Sequence, residues 1–88
     1  MDSYSVRYKA SAEKDIRKVP PTVIGNILER IDRLAENPLP RQSLKLSGRE
    51  DAYRLRVGDY RVVYKVDHDS RIVTVQSILH RRDVYRNL

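Results

Sequence analysis

A chain of 88 residues with a formal net charge of +6 and 34% charged side chains is long enough for one domain, residues 1–88, around one modest core. It has no cysteine, which excludes disulfides and thiolate metal sites; it has no apolar run of spanning length, and Met1-Asp2-Ser3 does not begin a secretory leader, so no membrane is expected and the cytoplasm is the default. Arginine outnumbers lysine, and because the guanidinium fork grips phosphate bidentately, the charge balance points to nucleic acid or another anionic partner.

Residues 3–9 (SYSVRYK) predict a short strand with alternating Tyr4, Val6 and Tyr8. Ser11 is placed to cap a helix whose first turn carries Glu13 and Asp15, and Ala12, Ile16 and Val19 give it a narrow apolar stripe. Pro20-Pro21 must end that helix, while Pro21 can open the next. In the second helix Val23, Ile24, Ile27, Leu28, Ile31 and Leu34 recur at helical spacing, with Glu29, Arg30, Asp32 and Arg33 largely outside the stripe, and Asn37-Pro38 closes it. Gly25 costs about 1 kcal/mol against alanine in a helix interior, so it marks either close contact with the first helix or a tolerated surface position. Beyond it, turn signals at 38–40 and 47–48 flank a short SLKL segment suited to an edge strand.

Residues 53–66, YRLRVGDYRVVYKV, are two alternating runs joined by Gly58-Asp59, the pattern of a hairpin with Gly58 at the positive φ of a type II′ turn. That turn pairs Val57 with Tyr60, Arg56 with Arg61, Leu55 with Val62 and Arg54 with Val63. Directly paired residues share a face, so Arg54, Arg56, Arg61 and Lys65 project from one side, and Tyr53, Leu55, Val57, Tyr60, Val62, Tyr64 and Val66 form a core face. Arg56 opposite Arg61 is an unfavourable like-charge pair, relieved either by an anion bound between them or by the long side chains splaying into solvent with their stems over apolar surface.

Residues 67–70 (DHDS) make the next turn and residues 72–80 the last strand. His68 between two aspartates invites a metal reading, but no second histidine is near in the sequence, so neither metal nor cofactor is expected. If Val66 closes on Arg71, Tyr64 pairs with Val73 and Val62 with Val75, which puts Thr74, Gln76, Ile78 and His80 on the arginine face. Taken singly, His80, Tyr85 and the pair Arg81-Arg82 are ordinary structural or solvated residues. Placed beside three arginines they supply the parts for metal-free RNA cleavage: a titratable base, cations for the scissile phosphate, and a ring to stack on a nucleotide.

The order of elements, the LRVGDYRVVY hairpin and the closing HRRDVYR tail resemble the RelE/ParE superfamily of toxins from type II toxin–antitoxin systems, in its RelE branch, over essentially the whole chain. The resemblance implies a small α+β domain: an N-terminal strand, a helical hairpin, then antiparallel strands in one curved sheet with the helices on one face, similar to microbial ribonucleases. It also implies ribosome-dependent cleavage of messenger RNA by 2′-hydroxyl attack on the adjoining phosphate, with a RelB-like antitoxin as partner and operator DNA bound only together with that antitoxin. On this resemblance Arg61, Arg81 and Tyr85 are the catalytic candidates, with His80 a second candidate for the base, and Arg54 and Arg56 contact RNA phosphates; Lys65, by its place on the arginine face, and Arg82, by its place in the tail, are expected to join that phosphate contact. Arginine remains protonated, so the base falls to His80 or Tyr85; an imidazole ordinarily titrates near about 6.5, whereas a phenol near about 10 needs neighbouring cations such as Arg61 and Arg81 to lower it. Two departures stand out: both basic positions before the turn are arginine rather than lysine, and Arg81 and Tyr85 are closer in sequence than in the best-known RelE pattern. The rival expectation is a ParE-like gyrase inhibitor, which shares the scaffold without needing the basic-plus-tyrosine constellation; an inactive antitoxin-binding and operator-binding module is a third.

Overall fold

The computed structural model describes residues 3–41, 43–46 and 51–82. Its elements are β1 (Ser5–Tyr8), α1 (Ala10–Lys18), α2 (Pro21–Asp32) running into a 3₁₀ turn (Arg33–Ala35), β2 (Ser43–Lys45), β3 (Ala52–Val57), β4 (Tyr60–Asp67) and β5 (Ile72–His80). The five strands form one open sheet in the order β1-β5-β4-β3-β2, an α+β architecture as expected. The sheet is mixed rather than antiparallel throughout, because β1 runs parallel to β5 with Ser5 opposite Ile72 and Tyr8 opposite Val75. A parallel pair needs a long crossover, and here the whole chain from α1 through the hairpin intervenes before β5 takes its place beside β1.

Both prolines act as their chemistry requires. Val19 is extended (ψ 133°) before Pro20, which ends α1, and Pro21 occupies the first turn of α2. Ser11 is not the helix cap: Lys9 holds that position without a side-chain bond, and Ser11 Oγ donates instead to the Gln76 carbonyl at 2.6 Å. Gly25 is exposed, and a Cβ there would meet nothing within 4 Å, which settles it as a surface glycine.

The core lies between the helices and one face of the sheet. Ile27, Ile31 and Leu34 pack with Leu55, Val57, Val62, Tyr64, Val66, Val73, Val75 and Ile78, each side chain contributing about 1.5–3 kcal/mol through removal from water. Tyr64 is fully buried and donates its hydroxyl to the Pro38 carbonyl at 2.7 Å; burial pushes its phenol up to about 12. The bond satisfies the buried hydroxyl and ties the segment after α2 to the central strand.

The hairpin register is the one the turn dictates, from Val57 opposite Tyr60 to Arg54 opposite Val63, with Gly58 at φ 58°. Asp59 does not share the positive φ, which excludes a type I′ turn. The register of β5 departs from expectation. Asp67, not Val66, begins the ladder, opposite Ile72, so Tyr64 faces Val75 and Lys65 faces Thr74. A bulge then shifts the pairing between Val63 and Tyr64, after which Val63 lies opposite Ser77, Val62 opposite Ile78, Arg61 opposite Leu79 and Tyr60 opposite His80. One extra residue inverts every face beyond it. Thr74 stays on the arginine side, but Ile78 is buried in the core, and His80 shares the core-side face with Tyr60 instead of the arginine face. A bulge-free strand would have forced Ile78 out of the core.

A candidate phosphate-binding cleft on the arginine face

Strand alternation turns Arg54, Arg56, Arg61 and Lys65 away from the helices, as the sequence predicts. Three of these cations share a cleft of about 380 Å³, whose walls among the described residues are Arg30, Leu44, Arg54, Arg56, Gly58 and Arg61. The glycine turn forms one end of it. Arg61 Nη1 donates to the Gly58 carbonyl at 3.3 Å and to its neighbour Tyr60's carbonyl at 3.1 Å, and Arg56 Nε reaches the same Gly58 oxygen at 3.5 Å. Two like-charged guanidiniums in one cross-strand pair are thus drawn to a backbone carbonyl rather than splayed apart.

Arg81 arrives at the same turn from β5. Its backbone N–H donates to the Asp59 carbonyl at 2.7 Å, and its Nε lies 4.0 Å from the Asp59 carboxylate. That exposed ion pair is long and contributes little to stability, but the backbone bond fixes where the tail leaves the sheet. Lys65 stands on the same face one row further from the turn, opposite Ala52 and Thr74, and does not line the cleft. Arg7 extends that row, opposite Thr74.

The bulge separates His80 from this group. Its ring meets Tyr60 edge-on, with centroids 5.2 Å apart and planes at 86°, and its Nδ1 accepts from the Arg82 backbone N–H at 3.3 Å. Arg82 is exposed, and Tyr85 lies outside the described residues. His68, the other histidine, has its Nδ1 2.7 Å from the Tyr4 hydroxyl, so this ring ties the residue just before β1 to the β4–β5 loop.

Two residues of the cleft were not singled out in the sequence. Leu44 is 59% exposed and sits on β2 opposite Arg54. Arg30 comes from α2; it follows Ile27 by three residues and precedes Leu34 by four, a spacing that places it at the margin of the buried stripe. That spacing was visible in the sequence.

The sequence model of the family described as ParE toxin of type II toxin–antitoxin system, parDE, matches residues 6–85. The chain belongs to the RelE/ParE superfamily. Among curated RelE/ParE relatives, toxin RelG of Mycobacterium tuberculosis is 32% identical over 88 residues, covering 94% of this chain and 97% of its own. Among solved structures of the superfamily, the archaeal RelE–RelB complex from Pyrococcus horikoshii aligns with a TM-score of 0.80 at 31% identity, covering 90% of this chain and 96% of that one. The RelBE2 toxin–antitoxin complex from Mycobacterium tuberculosis gives 0.79 at 30% identity, with 90% and 99% covered. Membership in the RelE/ParE superfamily makes this chain a toxin of a type II toxin–antitoxin system. No helix among the described residues is long and apolar enough to cross a membrane.

Proposed function

We propose that this toxin is an endoribonuclease that cleaves messenger RNA on the ribosome and so inhibits translation. The observation that carries the proposal is the convergence of Arg54, Arg56 and Arg61 on one cleft beside the turn that anchors Arg81. Such a cleft suits a phosphodiester whose charge grows during reaction. In the proposed step a ribose 2′-oxygen attacks the adjoining phosphorus, forming a new O–P bond as the bond to the 5′-oxygen breaks. The 2′-hydroxyl proton passes to a base, and the leaving 5′-oxygen takes a proton, which yields a cyclic phosphate and a 5′-hydroxyl fragment. Arginines at Arg61 and Arg81 supply the charge stabilisation, so the proposed step uses no metal. Arg54, Arg56, Lys65 and Arg82 hold the flanking strand. With His80 turned toward Tyr60, Tyr85 is the stronger candidate for the base and His80 the weaker.

The RelE and RelG names of the relatives favour this reading over gyrase inhibition. The solved relatives from Pyrococcus horikoshii and Mycobacterium tuberculosis are complexes with antitoxins, which supports a cognate RelB-like partner here. A basic cleft calls for acidic and apolar antitoxin side chains that cover it or displace the tail, and operator DNA would be bound only by that complex. The test is incubation of the purified toxin with messenger RNA in a translating extract, followed by mapping of the ends. New 5′-hydroxyl ends within the reading frame are expected. Intact messenger RNA together with inhibited gyrase would replace the ribonuclease reading with the ParE one.

A further inference from the structure

Arg30 is half-buried at the sheet-facing margin of α2, and its side chain borders two clefts. One is the arginine cleft; the other, of about 470 Å³, has Leu34, Pro40 and Leu55 among its walls and lies on the helix side of the sheet. The two meet at the edge of β3, where the β2 ladder ends at the pair Ser43 and Leu55. Beyond that pair β3 has no described neighbour on this side, and a helix cation joins the strand cations around the edge.

Charge then decides what the cleft can hold. Arg30, Arg54, Arg56 and Arg61 bring four positive charges to it, and no carboxylate lines it among the described residues. One phosphodiester carries a single negative charge, so a scissile phosphate near Arg61 leaves most of that repulsion uncompensated. A continuous strand brings another phosphate at every nucleotide. Arg30 and Arg54 have no side-chain hydrogen bond or ion pair within the described residues, and exposed Leu44 beside them offers an apolar surface to a ribose or base.

We infer that Arg30 and Arg54 form a second phosphate subsite, which holds the phosphate next to the scissile one, so that this toxin engages at least two consecutive phosphates of a single RNA strand. The inference rests on the ribonuclease reading above. An acidic antitoxin segment is the competing occupant; RNA is favoured because the cleft is continuous with Arg61, where the proposed reaction already places one phosphate of the same strand.

The experiment uses the full chain and two uncleavable probes, a 2′-O-methyl RNA oligonucleotide several phosphates long and a 2′-O-methyl dinucleoside monophosphate with one. Arg30→Gln should weaken oligonucleotide binding about tenfold at low salt. It should lower the salt slope by about 0.7, the share of one phosphate on a single strand. Binding of the single-phosphate probe should not change, and in cleavage the loss should fall on KM and not kcat. Arg30→Lys, which keeps charge but loses the fork, should fall between. Arg33→Gln, an exposed residue paired with Glu29 at 2.7 Å, should behave as wild type. Unchanged affinity and slope in Arg30→Gln would overturn the subsite, and so would an equal loss for both probes, which would put Arg30 at the scissile phosphate. Weakened binding of the purified antitoxin alone would overturn it in favour of a protein contact. A wild-type toxin that neither binds these probes nor cleaves RNA would remove the ribonuclease reading and the subsite together, whereas an active wild type beside an insensitive Arg30→Gln removes the subsite alone.

Discussion

The bulge in β5 is held from outside the sheet, and removing that hold is the sharpest test of how the fold sets the face that His80 occupies. Asp15 Oδ2 accepts the Ile78 backbone N–H at 2.9 Å, while Ser11 Oγ donates to the carbonyl of Gln76, the extra residue, at 2.6 Å, so α1 clamps the bulge and the strand just beyond it. Ile78 is only 4% exposed, and Asp15→Ala leaves its N–H without a partner in a nearly dry place. A hydrogen bond to a charged group contributes about 1.5–3 kcal/mol, and the orphaned donor puts the expected cost near the middle, about 2 kcal/mol. For a domain of this size that lowers Tm by roughly 8–16 °C. The pairing itself should survive, because sliding to a bulge-free register would expose Ile78 and forfeit about as much again. Thermal unfolding followed by circular dichroism gives the first quantity, and nuclear Overhauser contacts between Tyr60 and His80 report the second. Asp15→Asn keeps an acceptor and should lose less. A Tm within about 2 °C of wild type for Asp15→Ala would refute the clamp, well below the roughly 4–8 °C that each kcal/mol moves such a domain.

Gly25→Ala should raise stability by about 0.4–1 kcal/mol, since the new methyl meets open space and the unfolded chain loses freedom; a urea midpoint at or below wild type would contradict this. Asp67 accepts the backbone N–H groups of Ser70 and Asp69 at 3.1 Å each, and chiefly the Ser70 bond holds its carboxyl below the usual aspartate value. The loop's support is therefore complete above the ordinary aspartate pKa of about 3.9 and is lost as pH falls through the lower folded value; carbon-13 titration should place the midpoint lower, and a midpoint at or above the ordinary value would refute it. Tyr85→Phe should slow single-turnover cleavage by about 10²–10⁴-fold with RNA affinity kept, whereas His80→Gln should cost far less; the reverse ranking would make His80 the base.

The hairpin was legible because a Gly-X loop between alternating runs sets pairing locally, and that pairing puts Arg54, Arg56 and Arg61 together without help from the rest of the chain. The helices were legible from their apolar spacing and the Pro20-Pro21 break. What failed was long-range. Nothing within residues 72–80 marks a bulge, since the bonds that hold it come from Ser11 and Asp15, more than 60 positions away. Ser11 looked like a cap because capping is the common local use of a serine at a helix start, and a tertiary partner outcompeted it. The parallel placement of β1 was equally invisible, since Tyr4, Val6 and Tyr8 alternate in the same way whichever direction their neighbour runs. Arg30 reads as part of the polar side of α2 by residue type alone, whereas its spacing from Ile27 and Leu34 places it at the boundary.

The central claim, that guanidiniums at the hairpin turn act on an RNA phosphate, is tested most directly at Arg61, which lines the cleft and donates to the Gly58 carbonyl. The measurement is single-turnover cleavage of ribosome-bound messenger RNA by wild type, Arg61→Ala and, as a charge-matched control, Arg17→Ala in the exposed last turn of α1. Losing one donor that stabilises a developing oxyanion costs about 10²–10³-fold in rate. Arg61→Ala should show a loss of that order with its fold intact, and Arg17→Ala should cleave as wild type does. Cleavage by Arg61→Ala at the wild-type rate would contradict the account.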